Sequence, residues 1–235
     1  MPDELADGPS AVLFDMDGTL VDTEGLWWEA CAEVASGLGA PLPAADQEVL
    51  FGLAAEDAAE HVSRRAGGDP PPAAVTTMLT DAFTARVKRG VTTLPGTVAL
   101  LDALRAAGIP AGLVSASPRA VVDLVLEAIG EDRFRLSVAA GDSARNKPAP
   151  DPYLAAARRL GVDPVACVAV EDSPTGIASA RAAGCAVVVV GSPYRGVSGR
   201  MVRVPSLERV DLPMLRLLAA TARPGDRNNG RREGG

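Results

Sequence analysis

Histidine is almost absent from this chain, since His61 is the only one among 235 residues. A single imidazole excludes Ser-His-Asp and Cys-His mechanisms and multi-histidine metal sites unless that one residue serves them. His61 lies in the segment EDAAEHVSRR, which predicts a surface helix and a solvated structural role for the ring. Any chemistry must therefore come from carboxylates.

Cysteine and aromatic residues are also scarce. Cys31, Cys167 and Cys185 are odd in number and two of them lie in apolar runs, which predicts small buried side chains in a reducing compartment and no disulfide or zinc framework. Aromatic residues make up 3% of a chain that is 47% hydrophobic, so aliphatic side chains and alanine must form the core.

Excess positive charge and long apolar runs are missing as well. The formal net charge of -7 argues against nucleic acid or an anionic membrane as a partner. The acidic start, MPDELADGPS, resembles no leader peptide, and no window approaches 18 unbroken apolar residues. We expect a cytoplasmic protein, with a monomer as the default.

Valine-rich apolar runs recur along the chain and alternate with helical segments. Continuous apolarity predicts strands covered on both faces, as in a parallel sheet. The six runs are AVLF (11–14), IPAGLVS (109–115), RLSVAA (135–140), VACVAV (165–170), CAVVVV (185–190) and MVRV (201–204). Strands that alternate with helices predict an α/β fold with a doubly wound parallel sheet.

The alternation is interrupted between residues 23 and 94. There we find no convincing strand, and the predicted helices are 24–38, 44–51, 56–65 and 72–89. Helices inserted directly after the first strand predict an all-helical cap over 23–94, and the core domain is predicted over 10–22 and 95–221. The tails, 1–9 and 222–235, lack apolar anchors and are predicted to be disordered.

Two carboxylates follow the first predicted strand, in the segment AVLFDMDGTLVDTE. Asp15 and Asp17 are two residues apart, and in an extended chain such side chains point the same way. Two anions this close repel each other unless a cation or a shared proton lies between them. The alternatives are solvated turn aspartates and a calcium loop, but an EF-hand loop has its glycine at position 6, and Gly18 is at position 4.

This segment resembles the first motif of the haloacid dehalogenase superfamily, and three later segments resemble its other motifs in order. The likeness covers about residues 10–215 and is to the phosphatase and β-phosphoglucomutase-like branch, whose helical cap follows the first strand. The resemblance implies a Rossmann-like core, Mg²⁺ as cofactor and an aspartyl-phosphate intermediate. It also implies that the partner is a small-molecule phosphate ester.

The second motif lies at the end of another predicted strand, in GLVSASPRA. Ser115 ends the strand, and Ser117 and Pro118 open the next helix. A hydroxyl together with free N–H groups at a helix start can cradle a phosphate. Taken alone, Ser117 is equally well interpreted as an ordinary N-cap.

The third and fourth motifs supply a lysine and two acids. Lys147, in NKPAPDPY, is one of two lysines among 23 basic residues, which favours a required point charge over a chance surface lysine. Glu171 and Asp172 follow VACVAV, and neighbouring acids at this sheet edge suit octahedral magnesium. In the alternative interpretation, Asp172 and Ser173 cap a helix that begins at Pro174.

The resemblance implies a role for each of these residues. Asp15 is the expected nucleophile and a metal ligand, and Asp17 is the expected general acid and base, with its backbone carbonyl on the metal. Asp172 is an expected ligand and Glu171 a ligand or a neighbour of one. Ser115 of the second motif and Lys147 of the third are expected to hold the phosphoryl oxygens.

The cap departs from the mutase pattern. Phosphomutases of this branch carry a histidine where this chain has Trp27, and an arginine in the stretch where this chain has LAAED after Phe51 and Gly52. Both hold a bisphosphate, so their loss favours a phosphatase acting on a small, sugar phosphate-like monoester. Trp27 and Trp28 are predicted either to line the substrate pocket or to pack between cap helices.

Two rival functions stay open at this stage. One is a phosphomutase of the β-phosphoglucomutase type, and the other is a non-catalytic module that uses the fold for binding. The presence of Asp15, Asp17, Lys147 and Asp172 together favours an enzyme, because a binding module would not need every catalytic group.

Overall fold

The computed structural model of the chain describes residues 8–50, 53, 55–191, 194, 196 and 198–221. The expectation of disordered tails concerns residues that lie almost entirely outside these ranges. Of the predicted N-terminal tail, Gly8 and Pro9 are described, and Pro9 is buried.

The strands and helices follow the predicted alternation closely. The strands in the described ranges are β1 (Ala11–Phe14), β2 (Val21–Asp22), β3 (Thr92–Thr93), β4 (Ala111–Val114), β5 (Leu136–Val138), β6 (Cys167–Glu171), β7 (Ala186–Val190) and β8 (Met201–Val204). The α-helices there are α1 (Glu24–Gly37), α2 (Asp46–Leu50), α3 (Ala55–Arg65), α4 (Pro72–Val87), α5 (Thr97–Ala106), α6 (Arg119–Ile129), α7 (Asp151–Leu160), α8 (Pro174–Ala182) and α9 (Leu212–Ala220).

Six of the strands form one parallel sheet in the order β5-β4-β1-β6-β7-β8. The first strand of the chain is therefore central, between β4 and β6, and the chain winds outward from it in both directions. The prediction of a doubly wound parallel sheet is confirmed. Because all six strands are parallel, their carboxyl ends lie along one edge, where ligands bind in folds of this kind.

Both faces of the sheet are covered, which explains the unbroken apolar runs. Val12 and Phe14 belong to a buried cluster with side chains of α5, α6 and α9. Ala11 and Leu13 belong to a second cluster with side chains of α7 and α8. Successive residues of a strand point to opposite faces, so a strand with helices on both sides must be apolar at every position.

The four helices after β2 pack on one another around their own buried cluster. The chain enters this helical insertion from β2 and leaves it through β3, and these two short strands pair antiparallel, Val21 with Thr93 and Asp22 with Thr92. The expectation of no strand between residues 23 and 94 is therefore wrong at Thr92 and Thr93. A two-residue strand carries no hydrophobic period from which it could have been predicted.

The scarce residues behave largely as expected. Cys31, Cys167 and Cys185 are free and buried, and burial raises the pKa of each thiol. His61 lies on α3 as predicted, but its ring is not simply solvated, because Nε2 lies 3.0 Å from Oδ2 of Asp46. In the described ranges, no helix combines the length and the apolar character needed to cross a membrane.

The central sheet should dominate stability. Leu113 on β4 is fully buried, so Leu113→Ala should lower the free energy of unfolding by about 2–5 kcal/mol through lost burial and a residual cavity. The matched control is Leu217→Ala on α9, because Leu217 is 68% exposed and its truncation should change stability by no more than about 0.5 kcal/mol. Urea unfolding followed by circular dichroism measures both. Equal losses in the two variants would contradict the observed packing.

Candidate active site

The turn after β1 places two aspartates at the carboxyl edge of the sheet. The Asp15 N–H donates to the Val170 carbonyl at 2.9 Å, so Asp15 continues the ladder between β1 and β6 before the chain turns. The turn needs glycine at position 18, where φ is +78° and a Cβ would collide with the Asp172 carboxylate. This close approach brings the loops after the two strands into contact, and Asp15 and Asp17 line one pocket.

Lys147 is buried between two carboxylates. Its Nζ lies 2.6 Å from Oδ1 of Asp15 and 2.6 Å from Oε1 of Glu171, and its side chain is 4% exposed. Burial lowers the pKa of Lys147, but the two carboxylates outweigh burial and hold that pKa above its ordinary value. The interpretation of Lys147 as a chance surface residue is therefore wrong, and the side chain is a fixed positive charge in the site.

Asp15, Glu171 and Asp172 form an acidic cluster beside this lysine. Each contributes a carboxylate oxygen, and these oxygens lie within 4.8 Å of one another. Burial raises the pKa of Asp172, and the Asp15 and Glu171 carboxylates raise it further. Carboxylate oxygens are the donors that hard divalent cations prefer, so a cation bound here would relieve this repulsion. The cluster is suited to a divalent metal ion.

Asp172 and Ser173 have separate partners. Oγ of Ser173 accepts a hydrogen bond from the Gly176 N–H at 3.1 Å and so caps α8, with Pro174 in the first turn. Asp172 instead accepts a hydrogen bond from Oγ1 of Thr19 at 3.2 Å. The capping alternative is correct for Ser173 and wrong for Asp172, whose carboxylate belongs to the acidic cluster.

Asp17 is held by hydroxyl groups and not by the lysine. Oδ1 accepts a hydrogen bond from Thr23 at 2.7 Å, and Oδ2 accepts from Ser117 at 2.8 Å and from Ser115 at 3.3 Å. Burial, followed by the neighbouring Asp15, raises the pKa of Asp17 in spite of these hydrogen bonds. A carboxyl group with a raised pKa takes up a proton more readily, as a general acid must.

The N-cap interpretation of Ser117 is wrong. The N-cap of α6 is Pro118, which makes no side-chain capping bond, and the Ser117 hydroxyl points to Asp17 instead. Oγ of Ser115 accepts a hydrogen bond from the Ser117 N–H at 2.9 Å, which ties the two serines together. Both serines lie where the second motif predicts them, and a role in holding phosphate stays a prediction.

A cavity of about 220 Å³ lies between the sheet edge and the helical insertion. The loops at the sheet edge and the first turn of α8 contribute these residues to its walls: Asp15, Asp17, Ala116, Ser117, Pro118, Lys147, Pro148, Asp172, Ser173 and Thr175. The helical insertion and its first connection contribute Thr23, Glu24, Trp27, Leu53, Ala55, Asp57, Thr80 and Phe83. Of these lining residues only Lys147 is basic.

Trp27 packs between helices as predicted and also lines this cavity, and its contact with a substrate stays a prediction. Its ring meets Phe83 edge to face with centroids 5.4 Å apart, and its Nε1 donates to the Leu50 carbonyl at 3.3 Å. Trp28 packs against the buried cluster of the insertion and is not among the described residues that line the cavity.

Three residues of the site were not predicted. Thr19 and Thr23 hold Asp172 and Asp17, and both stand in the first motif, where hydroxyls so close to the acids could have been noticed. The hydroxyl of the third, Tyr153, donates to Oε1 of Glu171 at 2.5 Å. Tyr153 lies in the third motif, but its place in an apolar helix pattern predicts only core packing.

Comparison with known proteins agrees with this architecture and site. The family model described as "Hydrolase: haloacid dehalogenase-like hydrolase" matches residues 9–184. The chain is 36% identical to "Protein CbbY" of Rhodobacter capsulatus, over 84% of this chain and 93% of that protein. It is 34% identical to "Hexitol phosphatase A" of Escherichia coli, over 90% of this chain and 94% of that protein.

Solved structures include one informative relative. CbbY of Rhodobacter sphaeroides, solved in complex with phosphate, is 28% identical with a TM-score of 0.75, over 86% of this chain and 96% of that chain. A variant of the same protein was solved in complex with xylulose-(1,5)bisphosphate.

The fold and the acidic site define a hydrolase with a parallel α/β core and a helical insertion after the first strand. The chain belongs to the haloacid dehalogenase-like hydrolase family. The resemblance drawn from its four motifs is thereby confirmed.

The packing around Glu171 generates a prediction at Gly176. A Cβ at Gly176 would overlap the Glu171 carboxylate, so Gly176→Ala should lower the free energy of unfolding by about 1–3 kcal/mol and displace Glu171 from Lys147. The matched control is Gly37→Ala on α1, where a Cβ meets no atom within 4 Å. This substitution should raise the free energy of unfolding by at most about 1 kcal/mol. Urea unfolding measures both. Equal stabilisation of the two variants would contradict the Glu171 position.

Proposed function

We propose that the protein is a magnesium-dependent phosphatase that hydrolyses a small, sugar phosphate-like monoester through an aspartyl-phosphate intermediate. The observation that carries this proposal is that Asp15 and Asp172 meet at the ends of adjacent strands, with Lys147 bound to Asp15 and with Asp17 in the same pocket. The similarity to a hexitol phosphatase supports the phosphatase assignment and the type of substrate.

The donor set at the sheet edge fits Mg²⁺. Its side-chain members are hard carboxylate oxygens, and the three cysteines lie buried in the packed core. Asp15 and Asp172 would bind the ion, together with the Asp17 backbone carbonyl, and Glu171 stands beside them. When bound, the ion would neutralise charge on the phosphoryl oxygens.

Asp15 is the nucleophile in the proposed reaction. An oxygen of its carboxylate forms a bond to phosphorus while the bond from phosphorus to the ester oxygen breaks. Lys147, which lies 2.6 Å from Oδ1 of Asp15, offers a positive charge to the phosphoryl oxygens at that position. An anionic nucleophile can then approach an anionic ester without prohibitive repulsion.

Asp17 handles the proton in both half-reactions. Its raised pKa allows it to carry a proton to the leaving oxygen as the ester bond breaks. The resulting carboxylate then removes a proton from the water that attacks phosphorus and releases Asp15. Thr23, Ser115 and Ser117 hold the Asp17 side chain for these transfers.

The helical insertion supplies the other half of the pocket. We propose that residues 23–94 form a cap on the core of 10–22 and 95–221, with hinges near Thr23 and at 94–96. The two connections run side by side here, because β2 pairs with β3 and the Leu94 N–H donates to the Leu20 carbonyl at 2.9 Å. Closure of the cap would exclude bulk water and bring Trp27 towards the substrate.

Bisphosphate chemistry is the second candidate, because a CbbY relative was solved with a bisphosphate and the same fold serves mutases. A second phosphate needs positive charge at the end of the pocket remote from Asp15. The described lining residues from the helical insertion include the acids Glu24 and Asp57 and no basic side chain. Phe51, Gly52 and Ala54, in and beside the stretch where mutases carry an arginine, lie outside the described residues. A monophosphate is therefore the better match.

The nucleophile assignment is tested by Asp15→Asn. Phosphate release from p-nitrophenyl phosphate should fall by about 10³-fold or more, because a neutral amide of the same shape is a poor nucleophile. Removing magnesium with a chelator should abolish turnover in the wild type, and adding it back should restore it. Acid-quenched protein should carry ³²P from labelled substrate in the wild type and none in the variant.

The control for this loss is Asp123→Asn, which removes an exposed carboxylate on α6 and should leave the rate unchanged. Equal rates in the wild type and Asp15→Asn, or no turnover in either, would refute the hydrolase proposal.

The substrate assignment is tested by charge. For sugar or polyol monophosphates kcat/KM should exceed that for the matching bisphosphates by about 10-fold or more, because Glu24 and Asp57 repel a second phosphate. Asp57→Lys should lower this ratio of kcat/KM values, because it replaces a negative charge with a positive one. The matched control is Glu60→Lys, which makes the same change of charge on the exposed side of α3. A wild-type preference for bisphosphates would favour the rival chemistry.

A further inference from the structure

Tyr153 is the one fully buried tyrosine among the described residues, and its hydroxyl reaches the site. Its residue exposure is 0%, and it is the third residue of α7, which begins four residues after Lys147. The ring packs in the cluster of the α7 and α8 face with Leu13 and Val114, and the hydroxyl donates to Oε1 of Glu171 at 2.5 Å.

The same ring also contacts the lysine. Nζ of Lys147 lies 5.3 Å from the centroid of the Tyr153 ring, within the range of a cation–π contact. Oε1 of Glu171 therefore accepts hydrogen bonds from both Lys147 and Tyr153, and Nζ of Lys147 also donates a hydrogen bond to Asp15. Tyr153 contacts both members of the pair that sets the position of the ammonium group.

This pair needs additional support, because it lies away from water. The Lys147 side chain is 4% exposed and that of Glu171 is 0% exposed. A buried ion pair keeps one geometry only when further hydrogen bonds satisfy its remaining donors and acceptors. At Glu171 the further donors are the Tyr153 hydroxyl and, at 3.4 Å, Oγ of Ser173. The Tyr153 hydrogen bond is the shorter of the two.

We infer that Tyr153 is a positioning residue of the reaction, which acts through Glu171 to hold the Lys147 ammonium group against Asp15. The inference rests on the proposed function, because it concerns the groups that meet the phosphoryl oxygens. The Tyr153 hydroxyl donates to Glu171 and the residue does not line the cavity, so it acts on the rate through the placement of its neighbours.

Tyr153→Phe isolates the hydroxyl, because the ring and its contact with Lys147 remain. We expect kcat for p-nitrophenyl phosphate to fall by about 10-fold or more, since a hydrogen bond to a charged group is lost, with KM nearly unchanged. The control is Ser63→Ala on α3, which removes a hydrogen bond of 2.8 Å from the buried Ser63 hydroxyl to the Pro70 carbonyl and should keep full kcat. The melting temperature of Tyr153→Phe should fall no further than that of this control. A role in packing alone would leave kcat at the wild-type value.

A double-mutant cycle tests whether Tyr153 acts through Glu171. In a Glu171→Gln background, Tyr153→Phe should lower kcat by a clearly smaller factor than in the wild type, because the group on which it acts is already changed. The same factor in both backgrounds would overturn the inference.

Nuclear magnetic resonance gives a readout that needs neither metal nor substrate. Lys88 and Lys147 are the only lysines, so labelled lysine yields two side-chain ammonium signals, and Lys88→Arg assigns them. In the metal-free protein, Tyr153→Phe should shift the Lys147 signal and speed its exchange with water, while exposed Lys88 stays unchanged. An unchanged Lys147 signal would overturn the inference.

This readout separates the inference from the proposed function. No hydrolysis of p-nitrophenyl phosphate by the wild type would refute the phosphatase, yet the Lys147 signal would still decide whether Tyr153 places the lysine. If Tyr153→Phe does not fold, Glu171→Gln tests the contact from its other end. It should shift both the Lys147 signal and the Tyr153 ring signal, and an unchanged Tyr153 signal would overturn the inference.

Discussion

Repulsion among carboxylates at neighbouring strand ends is the constraint on which the rest of the site depends. Asp15, Glu171 and Asp172 meet because β1 and β6 are adjacent and parallel, and the sheet cannot relax them apart without losing its register. The buried ammonium group of Lys147 balances part of this charge. The negative charge that Lys147 does not balance favours the binding of a divalent cation. The same charge therefore both strains the folded chain and suits the site to a metal ion.

Glycine is placed where this crowding leaves no room for a side chain. At Gly18 the backbone passes the Asp172 carboxylate, and at Gly176 the first turn of α8 passes the Glu171 carboxylate. Each acid is thus fixed by close backbone packing on one side and by a hydroxyl or ammonium donor on the other. A site that must hold several like charges at short range needs this confinement.

The sequence predicts the core of this protein well, because its signals are local. Unbroken valine-rich runs indicate strands with helices on both faces of the sheet, and β1 and β8 coincide with AVLF and MVRV. The four motifs predict Asp15, Asp17, Lys147 and Asp172 together, since parallel strands end at one edge. The alternatives for Ser117 and Asp172 could not be decided beforehand, because an N-cap and a partner for a distant carboxylate require the same residue types.

Contacts between distant segments account for what could not be predicted. Tyr153 occupies a core position of α7, and only its folded neighbours show that its hydroxyl meets Glu171, 18 residues away. The pairing of β2 with β3 joins segments about 70 residues apart through two residues each, too few for any periodic pattern. Likewise, Trp27 and Trp28 are neighbours of the same type. Only the orientation of α1 in the fold shows that Trp27 lines the cavity and that Trp28 does not.

The pairing of β2 with β3 has an evolutionary consequence. Because the chain leaves the sheet and returns to it at neighbouring points, the helices between them could be lengthened, exchanged or remodelled while the strand ends keep their spacing. In the proposed function, the reacting groups and the insertion that would select the substrate are thereby encoded in separate stretches of the gene. If the insertion selects the substrate as proposed, a lineage built on this plan would acquire new substrates by altering that module alone and would inherit the proposed reacting groups unchanged.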